Sequence, residues 1–457
     1  MKHPREPQRS NDLLLTYYGD DFTGSTDAME AMTAAGVPTL LCLETPDREL
    51  LDRFPEVRCV GLAGSSRGRS PEWMDDQLPR VFETLAALGA PILQYKICST
   101  FDSSPSTGSI GRAIDIGVKR MPGKWSPMIV GAPRLKRYQA FGNLFAAVDG
   151  TGYRLDRHPT MSRHPVTPMN EADLRVHLSR QTSRHIDLID FVTLTSPHAS
   201  VSPQAFMQDD PSVVLIDVLD EQTLAAAGRL VWEQRGEGIF TASSSGLQYA
   251  LAAYWREHGI VPQVPDLPAA GPVDVIAAVS GSCSPVTAGQ IRWARQNGFW
   301  VERLDLRRTL DPHAYEMELA RVLEVATRAV SREQSVIVFS AEGPDDPAVL
   351  SFDEVAASVS LSRSEAARRV GGALAEIMQR LLDATPLRRI VVAGGDSSGD
   401  VASKLGIRAL SVAGRMAPGA PLCRAWSDSA ARDSLEIVLK GGQIGTVEFF
   451  GAVRDGG

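Results

Sequence analysis

Two adjacent aspartates, Asp20 and Asp21, follow a short apolar run at residues 13–18. A carboxylate pair at the end of a strand can bind a metal, accept a proton or hold the hydroxyl groups of a substrate. Asp21 also suits the N-cap of the helical pattern that follows at residues 26–35, whereas that helix does not need Asp20. The pair therefore leaves catalysis and capping as alternatives, and Asp20 is the residue that favours catalysis.

A second polar segment follows the apolar run at residues 91–95. Its candidate ligand-binding residues are Lys96, Ser99, Thr100 and Asp102. A lysine in this position can meet a carboxylate or a phosphate, and the hydroxyl groups after it can hydrogen-bond a polyol. The alternative is a polar loop whose lysine extends its head group to solvent. Cys98 has no flanking Cys/His signature, so we expect a packed thiol rather than a nucleophile.

Cations and histidines follow the strand that is predicted at residues 128–130. The cations are Arg134, Lys136 and Arg137. They could neutralise an acidic substrate, or they could form a solvated basic loop. His158 and His164 lie six residues apart in a proline-rich stretch, a spacing that fits no standard zinc pattern. We therefore expect one histidine to line a pocket, and the sequence identifies no metal ligands.

The C-terminal part of the chain contains two turns that combine glycine with hydroxyl residues, at 280–287 and 394–399, and a third turn with glycines at 440–445. The first two connect a predicted strand to a predicted helix, where backbone N–H groups and the helix N-terminus can bind a phosphate. The third adds a lysine, Lys440, and flexible backbone. Each turn alone is also typical of an ordinary connection, but two in one domain favour a nucleotide site. Neither GxxxxGK[ST] nor GxGxxG is present, so the site is not a P-loop or a dinucleotide fingerprint.

Alternating strands and helices must position these turns. The first strand, helix and strand lie within about thirty residues, which indicates a βαβ unit and a parallel sheet. The second strand of this unit is predicted at 39–43, and further strands at 58–62, 91–95, 128–130, 191–194, 213–217 and 238–242. Helices are predicted at 72–88, 171–182, 221–235 and 245–257. Residues 261–272 contain four prolines, too many for a helix interior or a central strand, and predict a linker.

After the linker the same alternation begins again. Strands are predicted at 273–279, 300–305, 335–340 and 389–393, and helices at 286–297, 314–330, 362–382 and 400–405. We therefore predict an α/β fold with two α/β domains, 1–260 and 273–457, mainly parallel sheets and an interdomain active-site cleft.

Composition excludes several classes of protein. The 457 residues carry 47 Lys and Arg against 55 Asp and Glu, a net charge of −8, which disfavours non-specific binding to nucleic acid or an anionic membrane. No apolar stretch approaches the roughly 18 residues of a membrane span, and the polar N-terminus lacks a signal core, so we expect a cytoplasmic protein. Five scattered cysteines argue against disulfides or structural zinc. A homodimer is a possible assembly, although no heptad repeat or apolar stripe in the sequence argues for one.

Six motifs, in order, resemble those of the four-carbon acid sugar kinase family over almost the whole chain. In the N-terminal domain they are Asp-Asp-x-Thr-Gly-x-x-Asp (Asp20, Asp21, Thr23, Gly24, Asp27) and Pro-x-x-x-Arg with a later Gly (Pro133, Arg137, Gly142). In the C-terminal domain they are Gly-Ser-x-Ser-x-x-Thr-x-x-Gln (Gly281, Ser282, Ser284, Thr287, Gln290), Gly-Gly-[Asp/Glu]-[Ser/Thr] (Gly394 to Ser397), Pro-Gly-x-Pro-Leu (Pro418, Gly419, Pro421, Leu422) and Lys-x-Gly-x-x-Gly (Lys440, Gly442, Gly445).

The resemblance implies that the N-terminal domain binds an acid sugar and the C-terminal domain binds ATP with Mg²⁺. The implied reaction phosphorylates a hydroxyl group of a substrate such as threonate, erythronate or a 3-oxo-tetronate, with Asp20 or Asp21 deprotonating that hydroxyl. The expected substrate-binding residues are Lys96, Ser99, Thr100, Asp102, Arg137 and His164. The expected ATP-binding residues are Gly281, Ser282, Ser284, Thr287, Gly394, Gly395, Asp396, Ser397, Lys440 and Gly442.

The chain departs from the family pattern in the substrate domain. Cys98 stands where the family has an aspartate, residues 101–104 replace Leu-Arg-Gly-Asn, and His164 replaces the aspartate of an Asp-Pro element. These exchanges change the hydrogen-bonding groups of the pocket, so we expect a branched or oxidised substrate such as 3-oxo-isoapionate. A non-catalytic sugar-acid binding protein stays as the alternative. A dehydrogenase would need GxGxxG, and a Schiff-base aldolase would use Lys96 without nucleotide.

Overall fold

The computed structural model describes residues 13–148, 150–164, 166–196, 210–262, 267 and 269–457, with backbone alone at Asp396 and Ser397. The chain divides into two compact units, residues 1–265 and 266–457, which we call the N-terminal unit and the C-terminal unit. The predicted linker 261–272 spans this division, and its residues 263–266 and 268 lie outside the described residues.

The N-terminal unit is an α/β structure with a buried parallel sheet. Its strands are β1 (Leu15–Gly19), β2 (Thr39–Cys42), β3 (Cys59–Ala63), β4 (Ile92–Lys96), β5 (Trp125–Met128), β6 (Arg137–Ala140), β7 (Asn143–Val148), β8 (Thr151–Arg154), β9 (Ile186–Ile189), β10 (Ser212–Ile216) and β11 (Ile239–Ser243). Its helices are α1 (Phe22–Ala34), α2 (Arg48–Asp52), α3 (Pro71–Ala87), α4 (Ile110–Gly117), α5 (Leu174–Leu178), α6 (Phe191–Thr195), α7 (Glu221–Glu233) and α8 (Gly246–Glu257).

The strands of this unit form one large sheet and two small ones. The large sheet is parallel, in the order β11-β4-β1-β3-β2, and every residue of β1 and β4 is buried, as in sheets covered on both faces. A second parallel sheet has the order β5-β10-β9, and β6, β7 and β8 form an antiparallel sheet. The central strands of the large sheet place the N-terminal candidate residues.

The C-terminal unit repeats the α/β plan. Its strands are β12 (Ala277–Ser280), β13 (Trp300–Arg303), β14 (Val336–Phe339), β15 (Arg389–Ala393), β16 (Ile407–Ala417), β17 (Ala420–Ser427) and β18 (Glu436–Lys440). Its helices are α9 (Pro285–Gln296), α10 (Leu306–Leu310), α11 (Tyr315–Val330), α12 (Pro347–Leu350), α13 (Phe352–Ser358), α14 (Arg363–Ala384), α15 (Gly395–Lys404) and α16 (Phe449–Asp455).

The sheet of this unit runs β16-β17-β18-β15-β12-β14-β13. β18, β15, β12, β14 and β13 are parallel, whereas β17 is antiparallel to both β16 and β18. A hydrophobic core between sheet and helices includes Ile276, Ile291, Phe299, Ile337, Val391, Val438 and Phe450. None of the helices in the described ranges is long and apolar enough to cross a membrane.

The predicted class, α/β with mainly parallel sheets, is confirmed, but three local predictions are wrong. The strand predicted at 128–130 lies earlier, as β5 (Trp125–Met128), because the Ile129 N–H donates to the Ser243 hydroxyl (2.9 Å) and leaves the ladder. The predicted strand 191–194 is helix α6, because the Asp190 carboxylate accepts a hydrogen bond from the Thr193 N–H (2.7 Å) and caps it. The predicted helix 171–182 shrinks to α5, which starts only after the cap Asp173. The antiparallel strands β6–β8, β16 and β17 were also not predicted.

Candidate active site

The carboxyl ends of β1, β3 and β4 bring the N-terminal candidate residues together. Gly19, at the end of β1, is in register with Ala63 of β3 and with Lys96 of β4. The Asp20 N–H donates to the Lys96 carbonyl (2.9 Å), and the Arg67 N–H donates to the Asp20 carbonyl (2.9 Å). These turns therefore meet at one edge of the sheet, where ligands bind in open α/β sheets.

Arg67 joins the two aspartates that the sequence places side by side. Its guanidinium donates to both carboxylate oxygens of Asp20, from Nε at 3.1 Å and from Nη2 at 2.7 Å. It also donates to both oxygens of Asp21, from Nη1 at 2.7 Å and from Nη2 at 2.8 Å. Such paired, charge-assisted contacts fix orientation as well as charge.

The two aspartates differ in their surroundings. Asp20 is 2% exposed, and burial raises the pKa of its carboxyl above the usual range, an effect that Arg67 opposes and Asp21 reinforces. Asp21 accepts a hydrogen bond from the Gly24 N–H (2.8 Å) and is the N-cap of α1. Asp21 therefore performs the capping that the sequence left open. Proton acceptance by either aspartate stays a prediction, which this geometry favours for Asp20.

Lys96 reaches the same place from the end of β4. Its side chain is almost fully buried, with Nζ 3.6 Å from the Asp27 carboxylate and donating to the Ile97 carbonyl at 3.2 Å. A Cβ atom added at Gly24 would lie 2.5 Å from Asp21 Oδ1 and 3.3 Å from Lys96 Nζ. The absence of a side chain at Gly24 therefore leaves room for these charged groups to converge.

The turn after β4 contains a short chain of hydrogen bonds. Thr100 Oγ1 donates to Asp102 Oδ1 (2.8 Å), and Cys98 Sγ lies 2.9 Å from Thr100 Oγ1. Since the hydroxyl proton goes to the carboxylate, the thiol is the donor in the second contact. Burial, reinforced by Asp102, raises the pKa of Cys98 to about 11, so the thiol stays protonated at neutral pH. Ser99, between them, is half-buried.

Arg137 and His164 lie in other groups of contacts. Arg137 opens β6, and its Nη1 donates to the carbonyls of Leu135 (3.0 Å) and Lys136 (3.2 Å). His164 Nδ1 accepts a hydrogen bond from the Thr167 N–H at 3.0 Å. Within the described residues, neither side chain bonds to the aspartate pair or to Lys96, so their role in substrate binding stays a prediction.

The three glycine-rich turns of the C-terminal unit follow neighbouring strands. β15 lies between β18 and β12, so the turns after all three leave the same edge of the sheet. The Gly394 N–H donates to the Lys440 carbonyl (2.9 Å), and the Gly281 N–H donates to the Ala393 carbonyl (3.0 Å). This arrangement places the N-termini of α9 and α15 side by side, a geometry suited to binding phosphate.

Lys440 is the charged group of this edge. Its side chain is 1% exposed, and Nζ donates to Thr287 Oγ1 (2.9 Å) and to the Gly441 carbonyl (3.2 Å). Thr287 in turn donates to the Gly442 carbonyl (2.8 Å), which ties α9 to the turn after β18. Burial lowers the pKa of Lys440 to about 8. Within the described residues no carboxylate pairs with this ammonium, which suits it to an anionic ligand.

Close approach of other atoms explains Gly442 in these turns, and a positive φ explains Gly394. A Cβ atom at Gly442 would lie 2.5 Å from Ser282 Oγ, the atom that accepts the Ser284 N–H (3.2 Å). Ser284 itself caps α9 by accepting the Val286 N–H (3.1 Å). Gly394 has a φ of 130°, which side chains disfavour, and Gly395 begins α15 directly after it. The side chains of the next two predicted residues, Asp396 and Ser397, lie outside the described part.

Sequence reasoning missed Arg67. The residue follows β3, which was predicted as a strand at 58–62, and the rule that ligands bind beyond strand ends also applies there. Its segment, Gly-Ser-Ser-Arg-Gly-Arg, was the available signal.

Comparisons with known proteins agree with this division of the chain. Residues 15–251 match the model of a sugar-binding N-terminal domain, and residues 277–450 match that of a nucleotide-binding C-terminal domain. The chain belongs to the four-carbon acid sugar kinase family. Solved structures from Salmonella typhimurium (24% identity, TM-score 0.75, 96% of this chain and 98% of that one) and Haemophilus influenzae (21%, 0.73, 96% and 99%) share its fold.

Two curated relatives match over nearly the full length. The chain is 71% identical to a 3-oxo-isoapionate kinase of Paraburkholderia graminis, over 97% of this chain and 94% of that protein. It is 30% identical to a 3-oxo-tetronate kinase of Methylobacterium radiotolerans, over 97% and 99% of the two chains.

Proposed function

We propose that this protein is an ATP-dependent kinase of acid-sugar catabolism that phosphorylates a hydroxyl group of 3-oxo-isoapionate. The observation that carries the proposal is the 71% identity to a 3-oxo-isoapionate kinase over 97% of the chain. Because the reaction consumes ATP, we place the protein in the cytoplasm. The oligomeric state, with a homodimer as the option, and the interdomain cleft stay predictions.

The N-terminal cluster supplies the chemistry of the acceptor. We assign proton acceptance to the aspartate pair, and binding of the acid sugar to Lys96 and to the hydroxyl and carboxylate groups of Ser99, Thr100 and Asp102. In the reaction, the hydroxyl proton of the sugar passes to the carboxylate while the sugar oxygen bonds to the γ-phosphorus. The bond from that phosphorus to the bridging oxygen breaks, which releases ADP.

The C-terminal turns supply the phosphate site. We assign the phosphates of ATP to the backbone N–H groups at the N-terminus of α15, residues 395–397, and the offsetting of their charge to Lys440. The N–H groups of Gly281, Ser282, Ser284 and Gly394 already donate to protein acceptors, so these residues shape the turns rather than bind phosphate through their N–H groups. Replacing Ser284, Thr287 or Gly442 by another residue would disturb the contacts that hold these turns together. A purely sugar-binding protein needs no such site, and this favours the kinase over the non-catalytic alternative.

Magnesium fits this site as a companion of the nucleotide. The described residues contain no group of three or more His, Cys, Asp or Glu side chains that could hold a metal ion. Mg²⁺ in phosphate-transfer sites is bound mainly by phosphate oxygens and water, with one or two carboxylates, and it neutralises phosphate charge. We propose Asp396, which follows β15 at the start of α15, as the carboxylate that would accompany the ion.

The substrate preference rests on the turn after β4. Cys98 donates one hydrogen bond and carries no charge at neutral pH, where the family pattern has an aspartate. At this one position a substrate would meet a neutral thiol instead of a carboxylate, which suits a carbonyl oxygen because no negative charge repels it. We take this exchange as support for a 3-oxo sugar acid over threonate or erythronate.

The test is ADP release from ATP and Mg²⁺ with a panel of acid sugars. The panel contains 3-oxo-isoapionate, the 3-oxo-tetronates, threonate and erythronate, with a control that lacks acceptor. We expect 3-oxo-isoapionate to give the highest kcat/KM. A preference for threonate or erythronate would refute the substrate assignment, and ATP binding without turnover on any acceptor would leave only the nucleotide site. Failure to bind ATP would favour the sugar-acid binding protein.

A further inference from the structure

We propose that Arg67 is a positioning residue, which orients the carboxylate of Asp20 to accept the proton of the substrate and uses Asp21 as its anchor. The inference rests on the proposed kinase function, and it assigns different roles to the two adjacent aspartates. It also adds a residue that no motif in the sequence pointed to.

The first argument is geometric. Arg67 contacts each carboxylate through two N–H groups, so the plane of each carboxylate is fixed relative to the guanidinium. Lysine could supply the same charge, but it cannot make this fork of contacts. Arg67 is itself held at both ends, because its N–H donates to the Asp20 carbonyl (2.9 Å) and its side chain spans the two aspartates.

The second argument separates the aspartates by their hydrogen bonds. Asp21 Oδ1 accepts from both the Gly24 N–H and Arg67, so only Oδ2 of this residue keeps an acceptor position beside its bond from Arg67. Asp21 also caps α1, where the positive end of the helix stabilises its charge and makes it a weaker base. Both oxygens of Asp20 accept from Arg67 alone among the described residues, so each keeps an acceptor position. At 2% exposure Asp20 is shielded from bulk water, and the inference assigns one of these acceptor positions to the substrate hydroxyl.

The charges around Asp20 give the inference a signature in the pH profile. Arg67 and Lys96 favour the ionised carboxylate, whereas Asp21 disfavours it, and the neutral hydroxyls of Tyr18 and Tyr95 complete the surroundings. A base acts when it is ionised, so activity rises as pH increases through its pKa. The acidic limb of the pH profile is the range in which activity rises with pH. Loss of Arg67 should therefore move this limb to higher pH, and loss of the Asp21 charge should move it to lower pH.

The experiment measures kcat, KM and the pH profile of kcat/KM for Arg67→Met, Arg67→Lys and Asp21→Asn. We expect Arg67→Met to lose about 10²-fold or more in kcat, with its acidic limb shifted upward and the KM for ATP unchanged. We expect Asp21→Asn to lose less than Asp20→Asn and to shift the limb downward. Arg69→Met is the matched control: it removes a cation two residues away, which stacks on Trp73 (5.4 Å).

The outcomes separate this inference from the proposed function. The wild-type protein could phosphorylate an acid sugar while Arg67→Met has the same kcat and the same acidic limb of the pH profile. That result would overturn the role of Arg67 and leave the proposed kinase function intact. Equal losses in Asp20→Asn and Asp21→Asn would overturn the division of roles. If Arg67→Met does not fold, Arg67→Lys decides: wild-type kcat in that variant would contradict an orienting role. A wild type without turnover would end both proposals.

Discussion

Two buried lysines, Lys96 and Lys440, end parallel strands in the two units, and their surroundings differ. Lys96 (2% exposed) lies 3.6 Å from the carboxylate of Asp27, at an edge where Arg67 already bridges two aspartates. Lys440 (1% exposed) bonds to a threonine hydroxyl and a carbonyl, and no described carboxylate offsets its charge. One site therefore pairs both of its cations with carboxylates of the protein, whereas the other has a cation that an anionic ligand would balance.

The contrast fits the two halves of a phosphoryl transfer. A site that accepts a proton needs a carboxylate whose basicity is set by neighbouring charges, and such neighbours are present around Asp20. A site that binds phosphate needs a cation and backbone N–H groups that are not already neutralised. The most informative experiments change one site and measure the effect on both ATP and the acid sugar.

The largest effect is expected at the N-terminal site. Asp20→Asn keeps the shape of the side chain but removes its ability to accept a proton, so kcat should fall by about 10²- to 10⁴-fold. The affinity for ATP should stay unchanged, because the phosphate turns belong to the other unit. Steady-state kinetics and calorimetric titration with a non-hydrolysable ATP analogue measure the two quantities.

The control for this variant is Asp75→Asn. Asp75 forms an ion pair with Arg112 on the surface, with Arg112 Nη2 2.7 Å from Asp75 Oδ2, and it takes no part in the cluster. Its exchange should leave both kcat and ATP affinity at wild-type values. Near-normal turnover in Asp20→Asn would show that Asp20 does not accept the proton of the substrate.

The second-largest effects are expected when each of the two lysines is replaced by methionine. Lys440→Met should weaken ATP binding by about 10- to 100-fold, the value of one or two hydrogen bonds to a charged group. It should not lower the melting temperature, because it removes a buried charge that has no described counter-charge. Lys96→Met should instead raise the KM for the acid sugar and leave ATP binding unchanged. Equal effects of both variants on ATP would contradict the division between the sites.

Strand ends were the features that the sequence predicted best. Asp20, Asp21 and Lys96 were found because each follows an apolar run, and parallel strands bring such positions to one edge. The glycine-rich turns of the C-terminal unit were found in the same way. Arg67 was missed because its importance depends on four hydrogen bonds to residues 46 and 47 positions away, which spacing does not reveal.

The errors in the fold have similar physical causes. Residues 191–194 are apolar enough for a strand, but Asp190 caps a helix there, and a short apolar run does not distinguish the two. β16 was missed because its buried and exposed positions do not alternate regularly, and its pairing with β17 contains register shifts. Arg137 and His164 were grouped with Lys96 from motif order alone, and motif order does not report which turns meet.

The third prediction concerns pH. Lys440 is charged below its pKa of about 8 and neutral above it, so ATP affinity should be full below pH 8 and fall as pH rises through that value. The unliganded protein should show the opposite trend. Its lysine has a lower pKa than the roughly 10.4 of an unfolded chain, so the unfolded state binds more protons and stability rises between about pH 8 and 10.

Lys440→Met provides the control for this trend. Without the lysine, neither ATP affinity nor melting temperature should change over the same interval beyond what the ligand itself contributes. Titration calorimetry and thermal unfolding from pH 7 to 10 measure both quantities. If wild type and variant had parallel profiles, the ammonium would not be the group that binds phosphate.

The smallest effects are expected from glycines that allow close approach, and they test whether each site depends on its own backbone geometry. A Cβ atom at Gly442 would lie 2.5 Å from Ser282 Oγ, so Gly442→Ala should displace that hydroxyl and raise the KM for ATP by about 3- to 10-fold, as for one weakened hydrogen bond. Gly24→Ala, with its Cβ 2.5 Å from Asp21 Oδ1, should instead lower kcat. Gly289→Ala is the matched control, because a Cβ atom at this position would lie 4.0 Å from Arg292 Nη2, an ordinary van der Waals distance. That exchange should stabilise α9 by about 1 kcal/mol and change neither parameter, whereas a Gly442→Ala protein with a wild-type KM would show that the turn tolerates displacement.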